Sequence, residues 1–242
     1  MEIAKFKKTV FILGASSDIG IETVKYFLNK NWIVFAHYNK NSLKLKKLKE
    51  KNNKNLLLAQ ANLSSTSSVK KLLNKLRKKT LLSFVNLVGY LDNISFEKFT
   101  INSLLKSVKI NSVVPLFIQR ELLKGMIKKK FGRILNISSI GIKYGGSKYT
   151  FNYSYSKNTL EYFPRYLKNL TKKNILSNIL RIGVVNTKLL RKVREKNIKK
   201  RVSLIPIKRA ANISEVVKTI YSLASEENTY ISGETINIAG GE

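Results

Sequence analysis

The chain has 242 residues and carries 46 lysines and arginines against 14 acidic residues, a formal charge of +32. It has no cysteine and a single histidine, which excludes disulfides, a cysteine-based zinc site, a thiol nucleophile and a histidine cluster, so demanding chemistry would need a diffusible cofactor. No apolar run reaches the roughly 20 residues that a membrane-spanning helix requires. No linker-like break divides the chain, so one domain over residues 1–242 is expected, in the cytoplasm and with no membrane contact.

In chain order, Lys7-Lys8 and the apolar run at 9–13 have the shape of a signal-peptide start, but the run is short and flows into Gly14-Ala15-Ser16-Ser17, so it reads as a buried strand. Gly14-Ala15-Ser16-Ser17-Asp18-Ile19-Gly20 then opens a helix expected over 19–30. A glycine just after a strand permits a tight turn and close approach of backbone to a pyrophosphate, and the helix N-terminus offers unpaired N–H groups. A plain corner in which Ser16, Ser17 and Asp18 only cap the helix is the structural alternative. The expected strands lie at 9–13, 32–37, 55–59, 84–87, 133–137, 177–181 and 235–238. The expected helices lie at 19–30, 42–51, 67–78, 101–129, 152–170 and 213–224. Such alternation predicts an α/β fold, a doubly wound parallel sheet of about seven strands flanked by helices, with its ligand beyond the carboxyl ends of the strands.

Tyr153 and Lys157 open the helix expected at 152–170, at i and i+4 on one face. A phenol with a reference pKa near 10 is a poor acid or base at neutral pH, and a neighbouring ammonium stabilises its phenolate. The spacing recurs at Tyr26/Lys30 and Tyr144/Lys148. Tyr26, however, reads as core of an amphipathic helix, and Tyr144 precedes Gly145-Gly146, which disfavours a helix. Only the pair at 153 and 157 is placed to act as an acid/base unit.

Taken together, these motifs resemble the short-chain dehydrogenase/reductase family, over nearly the whole chain. The family's Thr-Gly-x-x-x-Gly-x-Gly turn is similar to Leu13-Gly14-Ala15-Ser16-Ser17-Asp18-Ile19-Gly20, and its Asn-Asn-Ala-Gly segment to Asn86-Leu87-Val88-Gly89. Its catalytic tetrad matches Asn111, Ser139, Tyr153 and Lys157; Ser138 is the rival to Ser139 by one residue of spacing. Ile182-Gly183-Val184-Val185-Asn186-Thr187 resembles the Pro-Gly-x-x-x-Thr stretch beside the nicotinamide, and the stretch from Ile205-Pro206 to Gly240-Gly241 resembles the acyl-carrier reductase branch. The resemblance implies a single Rossmann-type domain and a carbonyl reductase. In it Tyr153 gives a proton to the carbonyl oxygen, Ser139 hydrogen-bonds that oxygen, Lys157 lowers the Tyr153 pKa and binds the nicotinamide ribose, and Asn111 holds a water linking Lys157 to solvent. The implied cofactor contacts are Gly14, Ser16, Ser17, Asp18, Ile19, Gly20, Asn39, Lys40, Asn62, Leu63, Asn86, Gly89, Tyr153, Lys157, Gly183 and Thr187, with no metal.

Four positions depart from the family pattern: Asp18 replaces a glycine, Asn62 an acidic residue near the adenine, and Ile182 a proline, while Pro164 falls inside the helix bearing Tyr153 and should kink it beyond the catalytic turn. The second strand ends in Ala36-His37-Tyr38-Asn39-Lys40 without the carboxylate that would repel a 2′-phosphate, so NADP(H) is expected ahead of NAD(H), with Lys40 as phosphate partner and His37 and Asn39 as helpers. Residues 188–209, the family's substrate-loop position, hold ten lysines and arginines among 22 residues, a density suited to an anionic substrate such as an acyl carrier protein, a coenzyme A thioester or a charged sugar. Elsewhere lysine accompanies abundant asparagine and isoleucine on polar helix faces, which reads as a solvated surface rather than a nucleic-acid site. The resulting expectation is an NADPH-dependent 3-oxoacyl thioester reductase, a homotetramer or homodimer. The alternatives are a relative acting on a sugar or other small alcohol or ketone, and a non-catalytic nucleotide- or nucleic-acid-binding protein on the same fold.

Overall fold

The apolar run that follows Lys8 forms β1 (Thr9–Leu13), all five residues of which are buried. Successive strand residues face opposite sides. Val10 and Ile12 accordingly enter one core with Val34, Val24, Phe27, Ile220 and Tyr221, while Phe11 and Leu13 enter another with Leu72, Leu76, Phe84, Ile118 and Leu122. Burying each such side chain contributes about 1.5–3 kcal/mol, so this double burial fixes β1 at the centre of the molecule. The structure is a computed structural model that describes residues 7–162, 164–194 and 197–242.

Around β1 the sheet has seven parallel strands in the order β3-β2-β1-β4-β5-β6-β7, with β2 Ile33–Tyr38, β3 Leu56–Gln60, β4 Ser83–Asn86, β5 Gly132–Ser139, β6 Ile175–Ile182 and β7 Thr235–Ile238. Helices α1 (Asp18–Asn29) and α10 (Ile213–Ala224) cover one face; α3 (Thr66–Arg77) and α5 (Val114–Lys129) cover the other. Because β1 pairs with β2 on one side and β4 on the other, the chain reverses its direction of winding there, and a crevice opens beyond the carboxyl ends of β1 and β4. The expected strands agree with those observed to within two residues. No helix among the described residues is long and apolar enough to cross a membrane.

Two expected helices differ. The stretch at 101–129 is helical throughout but not uniformly α: α4 (Ile101–Val108) passes through a π-turn at Lys109–Val113, where the Val114 N–H donates to the Lys109 carbonyl, before α5 begins. The stretch at 152–170 is broken rather than kinked, into α6 (Phe151–Leu160) and α7 (Arg165–Asn169) with a 3-10 turn at Leu170–Lys173. Pro164 has an extended conformation (φ −63°, ψ 135°) just before α7. Its ring would clash with the carbonyl four residues back in a continuous helix, so α6 ends at Leu160 and Pro164 starts the next element. The remaining helices are α2 (Leu43–Lys51), α8 (Lys188–Arg191) and α9 (Ile198–Ser203), the last two inside the basic segment 188–209.

Candidate active site

The turn between β1 and α1 is shaped by its two glycines. Gly14 has φ +82°, a left-handed conformation, and a Cβ on Gly20 would lie 2.7 Å from the Ala15 carbonyl oxygen. Ser17 caps α1: its Oγ accepts from the Gly20 N–H and donates to the Gly14 carbonyl, both at 3.0 Å. From beneath, His37 Nδ1 accepts from the Gly14 N–H at 3.2 Å, and its Nε2–H donates to the Ala61 carbonyl at 3.0 Å. Both ring nitrogens are therefore committed, and His37 holds the turn instead of assisting Lys40 as the sequence implied. Burial pushes its pKa down to about 4, with the Ala61 bond opposing, which keeps the ring neutral.

At the opposite wall, β5 ends on Ser138 and Ser139. Ser139 Oγ accepts from the Gly141 N–H at 3.2 Å and lines the cavity together with Tyr153, whereas the buried Ser138 hydroxyl has no hydrogen-bond partner among the described residues. Lys157, one turn beyond Tyr153 on α6, is 2 % exposed. Its ammonium donates to the Val88 and Ile137 carbonyls, each at 2.6 Å, and lies 5.9 Å from the centroid of the Tyr153 ring. Burial drives its pKa down to about 7 against the opposing charge of Glu161, while burial pushes Tyr153 up to about 12 against the opposing influence of the Ser139 hydroxyl. In this arrangement burial of the phenol outweighs any lowering of its pKa by Lys157, whose amine donates to backbone carbonyls.

Asn111 sits in the π-turn, fully buried. Its Oδ1 accepts from the Tyr90 N–H at 2.7 Å, and its Nδ2 donates to the Tyr90 carbonyl at 2.9 Å and to Ser156 Oγ at 2.8 Å. The side chain therefore joins α6 to the loop after β4. A π-turn leaves a carbonyl outside the regular helical ladder, and such turns concentrate at functional sites.

A cavity of about 870 Å³ runs between these walls, in the range usual for small-molecule sites. Of the residues implicated by sequence, Ser16, Ser17, Asp18, Ile19, Gly89, Ser139, Tyr153, Lys157, Gly183 and Thr187 line it. Gly14, Gly20, Leu63, Asn86 and Asn111 stand behind the lining. Asn86, for example, is buried with its Nδ2 donating to Asn136 Oδ1 and its Oδ1 accepting from the Val88 N–H. Asn62 is exposed and accepts from the Ser64 N–H and hydroxyl; Asn39 and Lys40 are exposed and outside the lining. In their place Asn41 and Lys44, at the start of α2, face the cavity, with Leu189, Arg194, Arg201 and Glu242 at the other end. Sequence offered little to single out Lys44, one lysine among many on a basic helix.

The left-handed Gly14 turn, the N-terminus of α1 and the volume of the cavity fit a dinucleotide, whose phosphates those N–H groups would hold. Such a layout places the chain among the Rossmann-type oxidoreductases. More narrowly, it belongs to the short-chain dehydrogenase/reductase family, and the family model described as enoyl-(acyl carrier protein) reductase matches residues 14–242. The chain is 29% identical over 242 residues to the 3-oxoacyl-[acyl-carrier-protein] reductase FabG of Buchnera aphidicola subsp. Schizaphis graminum, covering 97% of this chain and 88% of that one. It is 28% identical to the uncharacterized oxidoreductase YmfI of Bacillus subtilis, covering 97% and 98%. Among solved structures, YwfH, an NADPH dependent reductase involved in bacilysin biosynthesis, shares the fold with a TM-score of 0.85 at 24% identity, covering 98% of each chain.

The buried neutral His37 makes stability depend on pH. Between about pH 6.5 and 4 the unfolded chain binds a proton at this residue that the folded chain refuses, so stability should fall by about 3 kcal/mol as pH drops through that window. Urea midpoints measured at pH 7, 5.5 and 4.5 check this, and a His37→Gln variant should show a flatter profile over the same range.

Proposed function

We propose that the protein is an NADPH-dependent carbonyl reductase whose substrate is a 3-oxoacyl thioester, and that Ser139, Tyr153 and Lys157 carry the chemistry. The observation that supports this reading most is that Ser139, Tyr153 and Lys157 line the same cavity that reaches the Gly14–Gly20 turn, with the Lys157 amine 5.9 Å from the centroid of the Tyr153 ring. The nicotinamide supplies hydride when bound. At neutral pH a phenol held up at about 12 stays protonated, so Tyr153 keeps the proton that a reduced carbonyl oxygen needs. Ser139 Oγ is positioned to donate to the same oxygen. Lys157 is held by two carbonyls that favour its protonated form while burial opposes it, and when protonated it places a positive charge beside the phenolate left after proton transfer.

The thioester reading draws on the curated relatives named as 3-oxoacyl-[acyl-carrier-protein] reductases and on the cations around the substrate end of the cavity. Lys188, Lys192, Arg194 and Lys200 line it, and Arg201 is held by the Glu242 carboxylate. An anionic carrier would be steered toward such a mouth. For cofactor choice, Lys44 replaces Lys40 as the proposed partner of the 2′-phosphate, because it faces the cavity and Lys40 does not. The α4–α6 side also leaves Ile101, Leu105, Phe117, Tyr155 and Tyr162 exposed, which supports self-association as a dimer or tetramer.

In an assay of NADPH oxidation with acetoacetyl-coenzyme A, Tyr153→Phe should lower kcat by at least about 100-fold while leaving NADPH affinity unchanged. Retained turnover would sink the role of Tyr153, and activity with sugars alone would move the substrate to another class. Lys44→Ala should raise the NADPH KM about tenfold and leave NADH unchanged, with a smaller effect from Lys40→Ala. Equal losses for both cofactors would remove Lys44 from phosphate recognition. Sedimentation at micromolar concentration should return two or four times the chain mass, and a monomer would exclude the proposed assembly.

A further inference from the structure

The segment that follows β6 crosses the crevice, and two side chains from opposite walls hold its ends. Asp18, the first residue of α1, accepts the Lys188 N–H on Oδ2 at 2.7 Å. Asn93, in the loop after β4 and itself left-handed at φ +56°, accepts the Arg194 N–H on Oδ1 at 3.4 Å. Between the two ties lies Leu189. Its Cδ2 is 3.2 Å from the point where a Cβ on Gly89 would stand, and that same point is 3.9 Å from the Tyr153 hydroxyl.

Asp18 is not needed as the cap of its own helix, since Ser17 takes that role through the Gly20 N–H. A carboxylate in the first turn is compatible with the dipole of α1. Its accepted bond, however, goes to a residue 170 positions away, at the start of the basic segment. A bond from a neutral N–H to an ionised acceptor is among the stronger hydrogen bonds in proteins. The longer Asn93 contact is the weaker tie.

We propose that Asp18 and Asn93 are positioning residues that strap residues 187–194 across the cofactor crevice and thereby set Leu189 beside Gly89 and Tyr153. The phosphate-binding turn and the substrate-side segment are then one mechanical unit: displacing the strap at either end withdraws Leu189 from the neighbourhood of the phenol. The strap is a property of the chain itself and does not depend on which carbonyl the site accepts.

Limited trypsin digestion of the cofactor-free protein tests this directly, because Lys188, Arg191, Lys192 and Arg194 are cleavage points within the strap. Cutting follows the population of the opened segment when opening is fast. Asp18→Ala should accelerate cleavage at 188–194 about tenfold and Asn93→Ala about threefold, in proportion to the strength of each bond, while cleavage at Lys46 and Lys47 on α2 stays unchanged. Asp18→Asn, which keeps an acceptor oxygen, should remain within about twofold of the unmodified protein. Unchanged cleavage at 188–194 in Asp18→Ala overturns the strap. So does equal acceleration at every site, which would mean that the substitution had merely loosened the fold. Because neither cofactor nor substrate is present, failure here is distinguishable from failure of the proposed reaction.

Discussion

Lys157 carries an ammonium into an almost fully enclosed position and satisfies it with two backbone carbonyls, those of Val88 and Ile137, at the ends of two neighbouring strands. Enclosing this amine without partners would be costly in either protonation state, and the two carbonyls at 2.6 Å offset that cost where α6 lies. One turn before it on the helix, Tyr153 is thereby carried to the cavity wall that it shares with Ser139 at the end of β5. One turn after it, Glu161 pairs with Arg181 on β6 and fixes the far end of α6 just before the chain breaks at Pro164. Asn111 supplies the lateral restraint by joining the π-turn, the Tyr90 backbone and Ser156. The orientation of one helix thus follows from where a single buried cation finds its acceptors.

The nucleotide side of the crevice is built on the opposite principle, with polar groups spent on shaping backbone. His37 is locked in its neutral form by the Gly14 N–H and the Ala61 carbonyl, and Ser17 closes the turn from above. The groups left to face the cavity are N–H donors at the start of α1, a preorganised positive end that costs no side-chain ordering. The Asp18 carboxylate suits that positive helix end, and its Oδ2 accepts the Lys188 N–H.

The excess of 32 positive charges is distributed unevenly in its consequences. Most lysines sit on exposed helix faces, where water screens them and they decide little. Those at the substrate end of the cavity act on a partly enclosed space, where a charge reaches further.

Strands β1, β4, β5 and β6 were legible because their apolar runs match the burial that a sheet covered on both faces demands. The Gly14–Gly20 turn and the Tyr153/Lys157 spacing were legible because local backbone geometry and helical periodicity are encoded within a few residues. The break at Leu160 was underestimated as a kink, since sequence shows the proline but not whether neighbouring elements will hold a bent helix together. The π-turn at Lys109–Val113, the diversion of His37 beneath the turn, the placement of Lys44 in the cavity and the bond from Asp18 to Lys188 were not visible at all. The His37 and Asp18 bonds join residues 23 and 170 positions apart, and the cavity that Lys44 faces exists only when the sheet is assembled. Composition and periodicity therefore determined the class of fold and the residue types available for chemistry, and tertiary packing alone decided which of those groups face the cavity and which are consumed in holding it open.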